Sequence, residues 1–253
     1  MSVTAALIPA YNCANQVGRV VCGVRRYITD ILVVDDGSSD ETAHAARAAG
    51  ARVVVHSENR GKGPAIRSGL AVLLGKPYTH VLMLDADGQH DPEDAQRFLE
   101  AARDADFVLG NRLWNPAVIP AKRLWTNFIG TRALQLMTGF PLEDSQCGFR
   151  LVSASYLRRM GLVGNRYSVD TEIIVRAGKL RARFAHVPVR VIYEGAASHY
   201  RPVFDTVHIV LSAARFKIDE GDLRVDPGAE AWRQLVDAPT VYEPFTDATG
   251  KPR

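Results

Sequence analysis

Cysteine is scarce in this chain of 253 residues: Cys13, Cys22 and Cys147 are odd in number. No two of them stand at C-x-x-C spacing, which excludes a disulfide framework and a structural zinc site and fits a reducing cytosol. Long apolar runs are missing as well. Nowhere do about 18 apolar residues follow one another, as a membrane-spanning helix requires. The opening MSVTAALIPAYN lacks the basic start and long apolar core of a signal peptide, so it reads as a first strand. Charge of one sign is not in excess either. A net charge of +3 makes no basic field for nucleic acid, so positive side chains have to be read one by one. What is present, 47% hydrophobic and 23% charged residues, is the composition of an ordinary folded protein long enough for one large domain.

The apolar residues come in two alternating rhythms. TAALIP (4–9), DILVVDD (30–36), ARVVVH (51–56), HVLMLD (80–85) and ADFVLG (105–110) are short apolar runs that end in turn-formers, as buried parallel strands do. Between them Val17, Val20, Val21, Val24 and Ile28 recur at helical spacing, and further helices are predicted over about 40–49, 64–74 and 92–102. Strands alternating with helices make an α/β fold, a mostly parallel, Rossmann-like sheet with helices on both faces.

Beyond Gly110 the rhythm changes. NRLWNPAVIPAKR is irregular, an amphipathic helix follows near 122–137, GFRLVS and FAHVPVRVIY read as strands, and a helix is predicted over 168–180. Residues 203–218 place Val203, Val207, Val210, Leu211, Ala214 and Ile218 on one face, a second amphipathic helix able to pack on the sheet or to lie on a membrane surface. The expected organisation is one domain over 1–225, with a nucleotide-binding half over 1–110 and an acceptor half over 111–225. A loosely ordered, proline-bearing tail over 226–253 completes it.

In an open parallel sheet, ligands bind at the carboxyl ends of the strands. Three of the first four strands end in PAYN, DDGSSD and DADGQ, so their polar ends converge on one cleft. In the third, Asp85 and Asp87 stand two residues apart with Gln89 two further on. A turn alone does not need two like charges so close, whereas a hard cation such as Mg²⁺ or Mn²⁺ takes oxygen ligands and leaves places for phosphate oxygens. Asp91 is a natural N-cap for the helix opening at Pro92 and does not need the other two. Asp36 is acceptor-only when ionised and suits the donors of a base or ribose, while Ser39 or Asp40 caps the next helix. ENRGKGPAIRSG places Lys62 in a Gly-rich turn, but a Walker loop would need Ser or Thr where Gly63 stands. Lys62 can touch a phosphate without that motif. A dehydrogenase G-x-G-x-x-G is absent. The Asp pair alone also admits a phosphatase or a sugar nucleotidyltransferase.

Taken in order, IPAYN, VVDDGSSDET, ENRGKGPAIRSG, LDADGQHDPED, GNR and EDSQCGFRLVS resemble the inverting family-2 glycosyltransferases of the GT-A fold. The branch they are most similar to is that of the dolichyl- and polyprenyl-phosphate mannose synthases. The resemblance spans about residues 3–205 and implies a nucleotide-sugar donor (GDP- or UDP-linked), a divalent metal and transfer with inversion. It implies that Pro9, Ala10, Tyr11, Asn12 and Asp36 line the nucleoside pocket with Lys62, Asp85, Ala86 and Arg112 nearby. Asp85 would face ribose or metal, and Asp87 and Gln89 would hold the ion. Arg112 and Arg123 would meet phosphates of donor or acceptor, while Lys122 reads as a surface charge. His199 and Arg201 fall where the family closes a loop over the diphosphate. Asp144 is the candidate base for a hydroxyl acceptor, and a positioning group if the acceptor is an already ionised lipid phosphate. Cys147 reads as packing, with no base beside it. A lipid acceptor would bring the enzyme to the inner membrane face as a peripheral protein; His90 carries no assigned role.

Overall fold

Ala5, Ala6, Leu7 and Ile8 are all completely buried, although successive residues of a strand point to opposite faces. The strand that holds them, β1 (Thr4–Ala10), is therefore covered on both sides. The structure is a computed structural model. It describes residues 3–116, 119, 121–164 and 168–192, with 211, 214, 216 and 241–242 farther along the chain. The side chains of Lys122 and Arg123, and the whole of His199 and Arg201, lie outside the described residues. So does most of the segment 203–218.

β1 leads through α1 (Ala14–Val24) to β2 (Asp30–Asp35), then α2 (Thr42–Ala48), β3 (Arg52–Val55), α3 (Lys62–Leu73) and β4 (His80–Met83). A 3₁₀ turn at Pro92–Asp94 opens α4 (Ala95–Ala101), and β5 (Phe107–Asn111) follows. Then come α5 (Ala121–Thr138), β6 (Arg150–Ser153), α6 (Ala154–Arg159), α7 (Ser168–Lys179), β7 (Phe184–Pro188) and β8 (Val241–Tyr242). The expected strands and helices are all here among the described residues, with ends displaced by a few positions. α3 starts at Lys62 rather than Pro64 because Gly61, at φ 95°, turns the chain into it. The short α6 was not anticipated.

The strands form one sheet in the order β7-β5-β6-β4-β1-β2-β3-β8. β1 to β4 are mutually parallel, so their carboxyl ends share one edge, with the crevice opening where β1 lies between β2 and β4. β6 runs the other way, antiparallel to both β4 and β5, with Arg150 level with Met83 and Leu109. That reversal decides the site. The residues that precede β6 lie at the edge where β4 and β5 end, which carries EDSQCGFR to DADGQ and GNR. β8, from the segment expected as a loose tail, pairs antiparallel with β3.

Candidate active site at the carboxyl edge of the sheet

The loop after β1 and the loop after β2 are sewn together. Asn12, held at φ 48°, accepts from the Ser39 backbone N–H at 2.9 Å, and its own N–H donates to Ser38 Oγ at 2.9 Å. Asp40 accepts from the N–H groups of Ala14 and Thr42, so it serves the start of α1 as well as α2. Tyr11 stands half exposed beside this seam, whereas Ala10 is buried and its carbonyl accepts from Asp36 N–H.

Asp36 is enclosed. Its carboxylate accepts from the N–H groups of Arg60 and Gly61, at 3.1 and 2.6 Å, and lies 2.6 Å from His56 Nδ1; His56 Nε2 in turn lies 2.9 Å from Ser68 Oγ. Asp36 thus locks the 58–61 turn onto β2.

Lys62 is placed by the same turn. Its ammonium donates to Asp85 Oδ1 at 2.7 Å and to Asp170 Oδ2 at 3.0 Å, and Asp170 is also held by Arg150 at 2.9 Å. Burial works against the charge on Lys62, but the carboxylates of Asp170 and Asp85 more than reverse that and raise its proton affinity above the ordinary value. Burial likewise works against the charge on Asp85, and Lys62, His90 and Arg150 together outweigh it, so the carboxyl stays below its ordinary range. Gly148 makes this chain of charges fit, because a Cβ there would stand 2.1 Å from Asp85 Oδ2. Pro9, Lys62, Asp85, Gly148, Arg150 and Asp170 line a narrow crevice beneath the site.

Asp87 differs from Asp85. It reaches solvent just after the buried Ala86 and accepts from Gln89 N–H at 2.9 Å, in a turn made possible by Gly88 at φ 74°. The protein packed round its carboxyl, and then the charge of Asp85, push its proton affinity up. This residual repulsion is what a divalent cation would relieve. Among the described residues no cluster of three or more His, Cys, Asp or Glu side chains could by itself cage a metal. A set of two carboxylates with Gln89 fits Mg²⁺ or Mn²⁺ completed by diphosphate oxygens. Asp91 caps the 3₁₀ turn by accepting from Glu93 N–H. His90 is buried against Phe149, and burial, reinforced by Arg112 and Lys62 and opposed by Asp85, pushes it down to about 4.

On the other side, Asp144 is 0% exposed and its carboxylate is saturated. Arg112 donates through Nε at 2.7 Å, through Nη2 at 2.9 Å and through its backbone N–H at 3.1 Å, and Gln146 N–H donates at 3.1 Å. Four donors meet about four lone-pair sites. Burial raises the carboxyl's proton affinity and Arg112 more than cancels it, so Asp144 is held ionised below its ordinary range. Next to this pair Asn111 Nδ2 donates to Glu143 Oε2 at 2.6 Å. Cys147 is completely buried, and burial pushes its thiol up to about 12, as a packing residue requires.

A family model described as glycosyl transferase family 2 matches residues 5–161 of this sequence. The chain belongs to glycosyl transferase family 2. An undecaprenyl-phosphate mannosyltransferase of Micrococcus luteus is 30% identical over 74% of this chain and 82% of that protein. Glycosyltransferase AglJ of Haloferax volcanii is 31% identical over 83% of this chain and 70% of its own. Among solved structures, glucosyl-3-phosphoglycerate synthase of Mycobacterium tuberculosis, in complex with Mn²⁺, uridine diphosphate and phosphoglyceric acid, superposes with a TM-score of 0.67. That match has 19% identity over 87% of this chain and 81% of that one, which makes the fold GT-A.

In this glycosyltransferase Pro9, Lys62 and Asp85 share the crevice, Asp87 stands beyond Asp85 with Arg112 and Lys62 within its electrostatic reach, and Arg112 holds Asp144, with two emphases the motifs did not give. Lys62 is bound to Asp85 and Asp170 rather than standing over an open pocket, and Arg112 is spent on Asp144. Asp170 and Arg150 complete the site. Arg150 lay in plain view in GFR, whereas Asp170 has no motif around it and is brought in only by the packing of α7.

Proposed function

We propose that this glycosyltransferase moves a sugar from a nucleoside diphosphate to a polyprenyl phosphate, with a divalent cation and with inversion at the anomeric carbon. The observation that carries this reading is the saturation of Asp144. A hydroxyl acceptor needs a base to take its proton, and a buried carboxylate with four donors and lowered proton affinity is a poor one. A phosphate monoester has its second pKa near ~6 and arrives ionised, so no base is required. The names of relatives such as the undecaprenyl-phosphate mannosyltransferase support the same acceptor.

In this reading a phosphate oxygen of the acceptor attacks the anomeric carbon, the bond from that carbon to the donor's diphosphate oxygen breaks, and the electron pair leaves with the nucleoside diphosphate. Asp85, Asp87 and Gln89 would hold the cation, which supplies charge neutralisation for the departing diphosphate. Lys62 keeps Asp85 ionised and aimed. Tyr11 and Asn12 border the nucleoside, with Asp36 fixing the wall behind them. Asp144 fixes the Arg112 guanidinium at the acceptor side, and Arg123, His199 and Arg201 remain the candidates for further phosphate contacts. Among the described residues no helix is long and apolar enough to cross a membrane. A lipid acceptor would bring the enzyme to a membrane surface.

The test is transfer from UDP- and GDP-sugars, with Mn²⁺ or Mg²⁺, to a short-chain polyprenyl phosphate and to its parent alcohol. Sugar on the phosphate and none on the alcohol is expected; transfer to the alcohol alone would refute the reading.

A further inference from the structure

α5 was expected to be amphipathic with its apolar stripe available for packing, yet large apolar residues stand on its outer face while its buried face is partly polar. Its inner face carries Asn127, Thr131 and Leu134, all at 6% exposure or less. Its outer face carries Trp125, Phe128, Ile129 and Leu136, at 66, 51, 54 and 87% exposure. Positions 125, 128, 129, 132 and 136 form one stripe at helical spacing. Single exposed apolar residues are ordinary, whereas a contiguous group marks a contact surface. Trp125 meets Phe128 edge-on at 6.4 Å, and the Arg132 guanidinium lies 6.0 Å from the Phe128 ring centre. The helix sequence AKRLWTNFIGTRALQLMT holds Lys122, Arg123 and Arg132 and no acidic residue.

We infer that the outer face of α5 is the surface by which the enzyme lies on a bilayer containing anionic lipid. The occupant is identified by chemistry: aromatic rings settle at the lipid–water boundary, apolar side chains enter the acyl edge, and an all-basic helix is drawn to negative headgroups. The inner face explains why this helix should be the one. Thr131 Oγ1 accepts from Ser145 N–H at 3.1 Å and lies 3.0 Å from Ser145 Oγ, next to Asp144. Gly130 leaves room for Gln146, whose Nε2 would stand 2.8 Å from a Cβ there. A helix is about 10–12 Å across, so seating α5 in the headgroup layer brings the Arg112–Asp144 pair to the level of lipid phosphates. An acceptor phosphate can then be engaged without its chain leaving the bilayer. The inference rests on the polyprenyl-phosphate reading for that purpose, but its surface can be tested separately.

Full-length protein is sedimented with vesicles of phosphatidylcholine alone and of phosphatidylcholine with phosphatidylglycerol, at low and high salt. Binding to the anionic vesicles that weakens with salt is expected. The double variant Trp125→Ser/Phe128→Ser should lose it by about tenfold or more, while its thermal stability and its transfer to a water-soluble short-chain phosphate match those of the unsubstituted protein. Vesicle binding unchanged in the variant would overturn the assignment to α5, even with transfer intact. So would a dimer in solution that the variant converts to monomer without any vesicle binding. Vesicle binding lost in the variant, in a protein that transfers sugar to no phosphate acceptor, would uphold the surface and refute the proposed function instead.

Discussion

Asp85 and Asp144 are each tied to one long basic side chain at the same sheet edge, yet their surroundings differ. The Asp144 side chain is sealed at 0% exposure beside Arg112, whereas the Asp85 side chain remains 31% open beside Lys62. The first pair is closed on itself through the four bonds that fill its oxygens. The second shares its cation with Asp170 and has a second carboxylate, Asp87, just beyond it. In the proposed function the acceptor side thus has its charges already balanced, and the donor side keeps an excess of negative charge that a metal and a diphosphate would complete.

The contrast can be broken most severely at Arg112. Arg112→Ala strands a buried carboxylate and should cost about 3–5 kcal/mol of folding stability in urea denaturation, with transfer abolished. Lys62→Met removes a cation from a wetter carboxylate, and about 1–2 kcal/mol is expected by the same measurement. Its donor binding should weaken as well. Equal losses for the two variants would erase the distinction. Acid offers a graded version. Because Asp144 is held below its ordinary value of 3.8, its contribution is complete above that value and disappears as the pH falls through the lower folded value. The steep part of the acid denaturation curve should therefore flatten in Asp144→Asn.

Asp87→Asn isolates the donor side. Removing a charge that Asp85 already repels should leave stability within about 0.5 kcal/mol, while the Mn²⁺-dependent thermal shift produced by nucleoside diphosphates vanishes. A retained shift would remove Asp87 from the metal site. The smallest effect on ligand binding is expected at the seam between the first two loops, where Asn12→Gly keeps the positive φ and loses the bond to Ser39. About 0.5–1.5 kcal/mol and a modest loss of nucleotide affinity should follow, measured by denaturation and titration calorimetry.

The parallel half of the sheet was legible because each strand is an apolar run ending in a polar motif, and β1, β2 and β4 do place those motifs together. The direction of β6 was not legible, since RLVS reads the same whichever way it pairs; only the register with Met83 and Leu109 fixes it. Site residues separated by long stretches of chain were harder still. The two carboxylate partners of Lys62, Asp85 and Asp170, were hidden because they come from β4's end and from α7. Nothing local to Asp36 reveals that it also holds His56 and Gly61. α5 showed its apolar period but not that Trp125 and Phe128 would face outward, because an apolar stripe names no partner.

The excursion from Leu113 to Leu142 leaves the sheet through Asn111 and Arg112 and returns through Glu143 and Asp144, which are bonded to each other in pairs. Both its ends are stapled at one point, and the entropy of closing a loop changes only slowly with its length. The segment is in effect a long loop closed at its base, and Thr131, bonded to Ser145 beside Asp144, ties its middle back to the same point.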